Sequence, residues 1–326
     1  MRIAILGAGA WGTALAIALS RQHHIMLWSH NALHAGALDD TRLNPYLSDV
    51  LLPGTVSVRA DMLPVLRDAE LVIIATPLNA MREMLQIIAQ HRADVPLLWA
   101  CKGMESGTQK LPHQILADEL KSNTQCGAIT GPSFALEVAL GQPTALVLAS
   151  HNLEWACATA AQLNDFRLRI YANDDVVGAE IGGAVKNVLA IATGICDGLE
   201  FGLNARAALI TRGLAEMARL AEHMGARRET LMGLTGMGDL ILTCTGELSR
   251  NRRVGLALAE GKKLDDVLYK LGHVAEGVST AHEVQKLAHA QGVDMPIVEA
   301  VCAILNGQIK PAAAVELLLA RDPKVE

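Results

Sequence analysis

Residues 1–19 read MRIAILGAGAWGTALAIAL, and the fold turns on how this stretch is read. Ile3–Leu6 is a short, continuously apolar run suited to a buried strand. Gly7, Gly9 and Gly12 follow it as G-x-G-x-x-G, and a helix-forming segment opens at once. In that setting the first glycine permits the tight turn, the second lets backbone approach a pyrophosphate, and the third lets helix meet strand closely. The helix N-terminus then offers free N–H groups to phosphates. The spacing predicts a dinucleotide site built on these three glycines. The early arginine and the uncharged run after it also imitate a secretion signal or a membrane span. A lipid span, however, does not require glycines at this spacing. No other stretch reads as long and apolar enough to cross a bilayer, so a cytoplasmic protein without a stable membrane anchor is expected.

Composition narrows the possibilities. The chain has 326 residues, 51% hydrophobic and 19% charged, with a formal net charge of −6. This is globular composition at a length that suggests two domains. The negative balance gives a nucleic-acid partner no footing. Six cysteines (101, 126, 157, 196, 244 and 302) are scattered without a C-x-x-C pair or a paired histidine. Reduced thiols in a cytosolic protein are expected, with no metal site.

Beyond the glycine loop, short β-rich runs alternate with helical segments. The runs are 3–6, 25–28, 71–75, 97–100, 127–130, 145–149 and 167–171. Several are apolar throughout, as parallel strands covered on both faces would be, and the alternation predicts a doubly wound α/β sheet. From about Val177 only helical patterns remain: 183–194, 205–224, 250–261, 264–271, 280–291 and 296–306. The division expected is a dinucleotide-binding domain over 1–178 and an all-α substrate-binding and catalytic domain over 179–326.

Ligands of such sheets bind beyond the carboxyl ends of the strands. After the second apolar run, where an acidic residue often binds the ribose hydroxyls, the chain has LWSHN. His30 and Asn31 do not repel a 2′-phosphate as a carboxylate would, which favours NADP while admitting NAD; the alternative is a plain surface histidine. Lys102 follows the 97–100 run, as a site residue or as a solvated loop lysine. Gly131 and Ser133 follow the 127–130 run, with Pro132 suited to a helix start.

Farther along, ELSRNRRVG reads as a helix capped by Ser249. Arg250, Arg252 and Arg253 crowd its first turn, although a helix N-terminus prefers acidic residues. Either a bound phosphate or an acidic side chain elsewhere must answer them. Asp239 in GLTGMGDLILT reads either as a helix N-cap or as a carboxylate that positions an amine or a hydroxyl. Lys186 lies in GGAVKNVL, among apolar residues. There it either snorkels to water or serves chemistry.

Taken in order, GAGAWGTALA, CKGME, GPSFALEVA, GGAVKNVLAIATGICDGLEFGLNARAALITRGLAEM, GLTGMGDLILTCT, SRNRRVG and VAEGV resemble the bacterial NAD(P)-dependent glycerol-3-phosphate dehydrogenase family over nearly the whole chain. The resemblance implies a Rossmann-type domain followed by a helical domain on the 6-phosphogluconate-dehydrogenase-like plan, usually assembled as a homodimer. It implies a small phosphorylated triose as substrate and NADP or NAD as cofactor. Catalytic positions fall on Lys186, with Lys102 and Asp239. Substrate-contacting positions are Lys102, Gly131, Ser133, Lys186, Asp239, Ser249, Arg250 and Asn251. Cofactor contacts beyond the glycines are Trp11, His30, Lys102, Ala135, Arg250, Val274 and Glu276. Two departures are mild: Ala10 stands where the family often has a hydroxyl residue, and CKG replaces TKG. Two other readings compete: a related hydroxyacid or 6-phosphogluconate-type dehydrogenase, and a catalytically silent NADPH sensor.

Overall fold

The computed structural model describes residues 1–47, 49–120, 124–271 and 275–319. Contacts divide the chain into two units, Met1–Glu105 with Lys110–Glu180, and Ser106–Gln109 with Ile181–Glu326.

The first unit is built on one eight-stranded sheet. Its strands are β1 (Arg2–Leu6), β2 (His24–Trp28), β3 (Val56–Arg59), β4 (Leu71–Ile74), β5 (Leu97–Trp99), β6 (Cys126–Thr130), β7 (Thr144–Ala149) and β8 (Leu168–Asn173). They are ordered β3-β2-β1-β4-β5-β6-β7-β8. From β3 to β6 every pairing is parallel. The chain winds outward from β1 through β2 to β3, then returns to place β4 on the other side of β1. That reversal leaves a crevice at the carboxyl ends of β1 and β4, where ligands of such sheets bind. Ile3, Ile5, Ile73 and Leu98 are buried with Leu15 and Leu19 of the Ala10–Leu19 helix in one core. Each such side chain contributes roughly 1.5–3 kcal/mol on burial, which explains the unbroken apolar runs.

Two features of the sheet depart from the sequence reading. Val56–Arg59 (VSVR) is a strand that the sequence did not announce. It is a short edge strand whose burial alternates, so it lacks a continuous apolar run. β7 runs antiparallel to β6, and β8 follows β7 in parallel. Apolarity reports burial on both faces but not strand direction, so TALVLA reads the same either way.

The second unit is helical. The Val176–Gly198 helix begins in the first unit and continues into the second. By length and mean hydropathy it could cross a bilayer, which corrects the expectation that no stretch beyond the N-terminus qualifies. Here it is a core helix, almost wholly buried and carrying Glu180 and Lys186. Other helices follow at Gly202–His223, Asp239–Thr245, Arg250–Ala259, Glu276–Ala290, Pro296–Leu305 and Pro311–Leu319. The short Asp239–Thr245 helix and the Pro311–Leu319 helix are additions to the sequence reading. Ser106–Gln109 joins this unit because Gln109 Nε2 donates to Glu283 Oε2 at 3.0 Å and Ser106 Oγ to Oε1 at 3.5 Å.

Candidate active site

In the first unit the glycine loop has the geometry its spacing predicts. Gly7 has φ +121°, and a Cβ there would lie 2.7 Å from the Ala75 carbonyl oxygen. A Cβ on Gly12 would lie 1.9 Å from the Gly7 carbonyl oxygen, so only glycine lets the helix sit this close to the turn. Gly9 differs, because among the described residues no atom beyond its own chain neighbours lies within 4 Å of where its Cβ would stand. It N-caps the Ala10–Leu19 helix without a side-chain cap, leaving N–H groups to open space. That is the ground a pyrophosphate would take. Two buried hydroxyls without hydrogen-bond partners among the described residues, Thr76 and Thr130, stand just beyond β4 and at the end of β6. Buried polar atoms are seldom left so. The residues present therefore fit a dinucleotide.

Other residues of this unit fill supporting parts. Buried Asn44 donates to the Ala8 carbonyl at 2.9 Å and to Thr13 Oγ1 at 2.6 Å, bracing the glycine loop from a distant loop. Sequence reading missed it, since a lone asparagine in a loop carries no pattern. Trp11 is half-buried in the helix's first turn, and His30 is exposed just past β2. Asn31 has a local task, capping the Ala32–Thr41 helix by accepting the His34 N–H at 3.1 Å. Lys102 is half-buried after β5; the thiol of the preceding Cys101 donates to the Thr76 carbonyl at 3.2 Å. Gly131 follows β6 with φ +129°, and Ser133 Oγ donates to its carbonyl at 3.0 Å. Pro132 does not open a helix, contrary to expectation. The helix begins at half-buried Ala135 and has only five residues.

In the second unit Lys186 is buried and forms an ion pair with Asp239, itself 1% exposed. Gly182 explains how the pair is assembled. A Cβ there would lie 2.4 Å from the Thr235 carbonyl, so the glycine admits the Leu234–Gly238 turn against the helix. That turn delivers Asp239 to Lys186. Asp239 is thus the first residue of its helix, with Gly238 at the cap position, and its carboxylate faces the amine instead of capping. Thr243 Oγ1 donates to the Asp239 carbonyl at 2.6 Å. Burial pushes the nearby Cys244 thiol up to about 12, which keeps it neutral beside the pair.

Glycines also seat the basic helix. Cβ atoms on Gly194 and Gly255 would lie 2.0 Å and 2.1 Å from the carbonyl oxygens of Arg252 and Ile191, so the two helices touch backbone to backbone. Ser249 is buried and caps as expected, its Oγ accepting the Arg252 N–H at 3.3 Å. Of the three arginines, Arg252 is answered internally, by Asp197 at 2.7 and 2.9 Å. Arg250 and Arg253 are exposed and form no ion pair among the described residues. Asn251 is a brace: its Nδ2 donates to Asn187 Oδ1 and its Oδ1 accepts the Gly277 N–H, both at 3.0 Å. Its Nδ2 makes no second hydrogen bond among the described residues. Glu276 opens the Glu276–Ala290 helix, half-buried, and Val274 lies outside the described residues. A cavity of about 480 Å³, lined by residues such as Ile195, Phe201, Leu209, Glu216 and Val301, lies elsewhere in this unit and includes none of these side chains.

The chain is similar to known proteins over its whole length. Residues 2–156 match the model for the NAD-dependent glycerol-3-phosphate dehydrogenase N-terminus, and residues 175–316 that for its C-terminus. The chain is 57% identical, over its whole length, to glycerol-3-phosphate dehydrogenase [NAD(P)+] of Dechloromonas aromatica, covering 99% of that protein. Identity is also 57% to the enzyme of that name from Aromatoleum aromaticum, with full coverage of both chains. The crystal structure of glycerol-3-phosphate dehydrogenase from Coxiella burnetii superposes with a TM-score of 0.94 at 42% identity, covering 98% of this chain and 99% of that one. The chain belongs to the NAD-dependent glycerol-3-phosphate dehydrogenase family.

Proposed function

We propose that this chain interconverts sn-glycerol 3-phosphate and dihydroxyacetone phosphate with NAD(P)H, supplying glycerol 3-phosphate for glycerophospholipid synthesis. The observation that carries this reading is the buried Lys186–Asp239 pair, in a chain that matches the family in both halves. Family membership favours it over the hydroxyacid-type and sensor alternatives.

When bound, the nicotinamide supplies the hydride to the substrate's C2 carbon in reduction and accepts it in oxidation. Lys186 handles the accompanying proton. Its ammonium donates to the C2 oxygen as the ketone becomes an alcohol, and the neutral amine takes the proton back in reverse. The Asp239 carboxylate stabilises the ammonium, which suits reduction near neutral pH. Lys102 polarises the same oxygen. Arg250 holds the substrate phosphate through charge-assisted hydrogen bonds, aided by Asn251 Nδ2, Ser249, Gly131 and Ser133. Gly7, Gly9, Gly12, Trp11, His30, Ala135, Val274 and Glu276, with Lys102 and Arg250, are assigned to the cofactor. Exposed His30 in place of an acidic residue supports a preference for NADPH. Residues 1–178 are assigned to dinucleotide binding and 179–326 to substrate and catalysis, in a cytoplasmic homodimer.

The decisive variant is Lys186→Met. It should bind NADPH as the parent does, while kcat followed at 340 nm with dihydroxyacetone phosphate falls at least about 10²-fold, the lower end for a lost general acid. A variant that keeps most of its kcat would remove Lys186 from the chemistry.

A further inference from the structure

Glu180 lies in the first unit and holds a buried carboxylate with three donors converging on it. Trp99 Nε1 donates to Oε1 at 2.9 Å, the His113 backbone N–H to the same oxygen at 2.8 Å, and His113 Nδ1 lies 2.5 Å from Oε2. The side chain is 2% exposed. Burial alone would pull the His113 ring down, but the hydrogen bond and charge of Glu180 outweigh it and raise its pKa. The backbone donor belongs to the first turn of the Pro112–Glu119 helix, whose positive end favours a carboxylate. Cys126, also near this charge, is pushed up to about 11 by burial and by Glu180, and stays a neutral thiol.

A buried charge network of this kind adds little net stability compared with apolar packing. What it does provide is position. Trp99 ends β5, three residues before Lys102. Glu180 lies six residues before Lys186 on one continuous helix, about 9 Å along its axis. Glu180 thus hydrogen-bonds the start of the helix that carries Lys186 to the end of β5.

We propose that Glu180 is a positioning residue for the reaction: its carboxylate pins the start of the Lys186 helix to the end of β5 and to His113, setting the register from which Lys186 delivers its proton. This rests on the assignment of Lys186 as proton donor.

The test uses the full chain with NADPH and dihydroxyacetone phosphate. Glu180→Ala should lower kcat by about 10- to 100-fold, as expected for a misplacement of about an ångström, with both KM values within about threefold. It should also raise the solvent deuterium isotope effect on kcat, because proton delivery becomes more limiting. Glu180→Gln keeps an acceptor for Trp99 and His113 and should recover kcat to within about threefold. If Glu180→Ala fails to fold, Trp99→Phe removes one hydrogen bond alone and should move kcat and the isotope effect in the same directions. Parent-like kcat in the folded variant, or a loss that follows only the NADPH-binding fraction with an unchanged isotope effect, overturns the proposal. Lys186→Met separates the two claims. Should it retain turnover, the assignment of Lys186 fails; should it be dead while the Glu180 variants match the parent, only the positioning role fails.

Discussion

Gly182→Ala tests how the ion pair is assembled. By helix propensity alone, alanine at this interior helical position should stabilise the chain by up to about 1 kcal/mol. Sterics point the other way, since the added Cβ would lie 2.4 Å from the Thr235 carbonyl oxygen, where contacts under 3.0 Å are essentially never seen. The turn or the helix must therefore retreat by about 0.6 Å, the difference between those two distances. Thr235 is in the same turn that leads into Asp239, so the retreat moves the carboxylate away from Lys186. If a misplacement of about 1 Å costs about 10²-fold in rate, 0.6 Å should cost on the order of 10-fold in kcat. The measurement is initial rate at 340 nm against dihydroxyacetone phosphate, with NADPH affinity measured separately and expected to be unchanged. A Gly182→Ala enzyme with parent kcat and undiminished melting temperature would refute the claim that this backbone contact sets the pair.

Three further outcomes follow from the same geometry. Arg250→Ala should raise KM for dihydroxyacetone phosphate by about 10-fold or more, about 1.4 kcal/mol of lost phosphate binding, measured by steady-state kinetics at fixed ionic strength. His30→Asp should turn cofactor preference toward NADH, seen in the ratio of kcat/KM for the two reduced nicotinamides, because a carboxylate repels a 2′-phosphate. Buried Glu216 accepts the Ile297 N–H at 2.9 and 3.1 Å, yet burial pushes its carboxyl up from 4.5 to about 7. The fold thus favours the protonated form. That contribution is complete below the unfolded value, shrinks as pH rises, and is lost above about 7, amounting to about 3 kcal/mol at 1.36 kcal/mol per pH unit. Glu216→Gln should flatten this fall in denaturant-derived stability between pH 5 and 8; an identical slope in parent and variant would contradict it.

Much of the scaffold was legible because local rules govern it. Gly7 and Gly12 are where backbone would collide with any side chain, and Ser249 caps the helix it was expected to cap. Other signals misled for reasons that can be named. Pro132 promised a helix start, but the helix waits until Ala135. Asp239 reads locally either as a cap or as a carboxylate that positions an amine, and only the fold pairs it with Lys186, far away in sequence. The basic first turn was half explained from within, since Asp197 on another helix answers Arg252 and leaves Arg250 available.

By itself the amino-acid sequence determined the strand–glycine–helix opening, the alternation that makes a layered sheet and the helical second half. These depend on torsional limits, periodicity and burial within a few neighbouring residues. Only the tertiary structure decided that β7 and β8 reverse direction, that Gly182 lets a distant turn reach Lys186, and that Glu180 gathers Trp99 and His113. Such contacts join segments whose sequences carry no mark of each other, and they exist only once the intervening chain has folded.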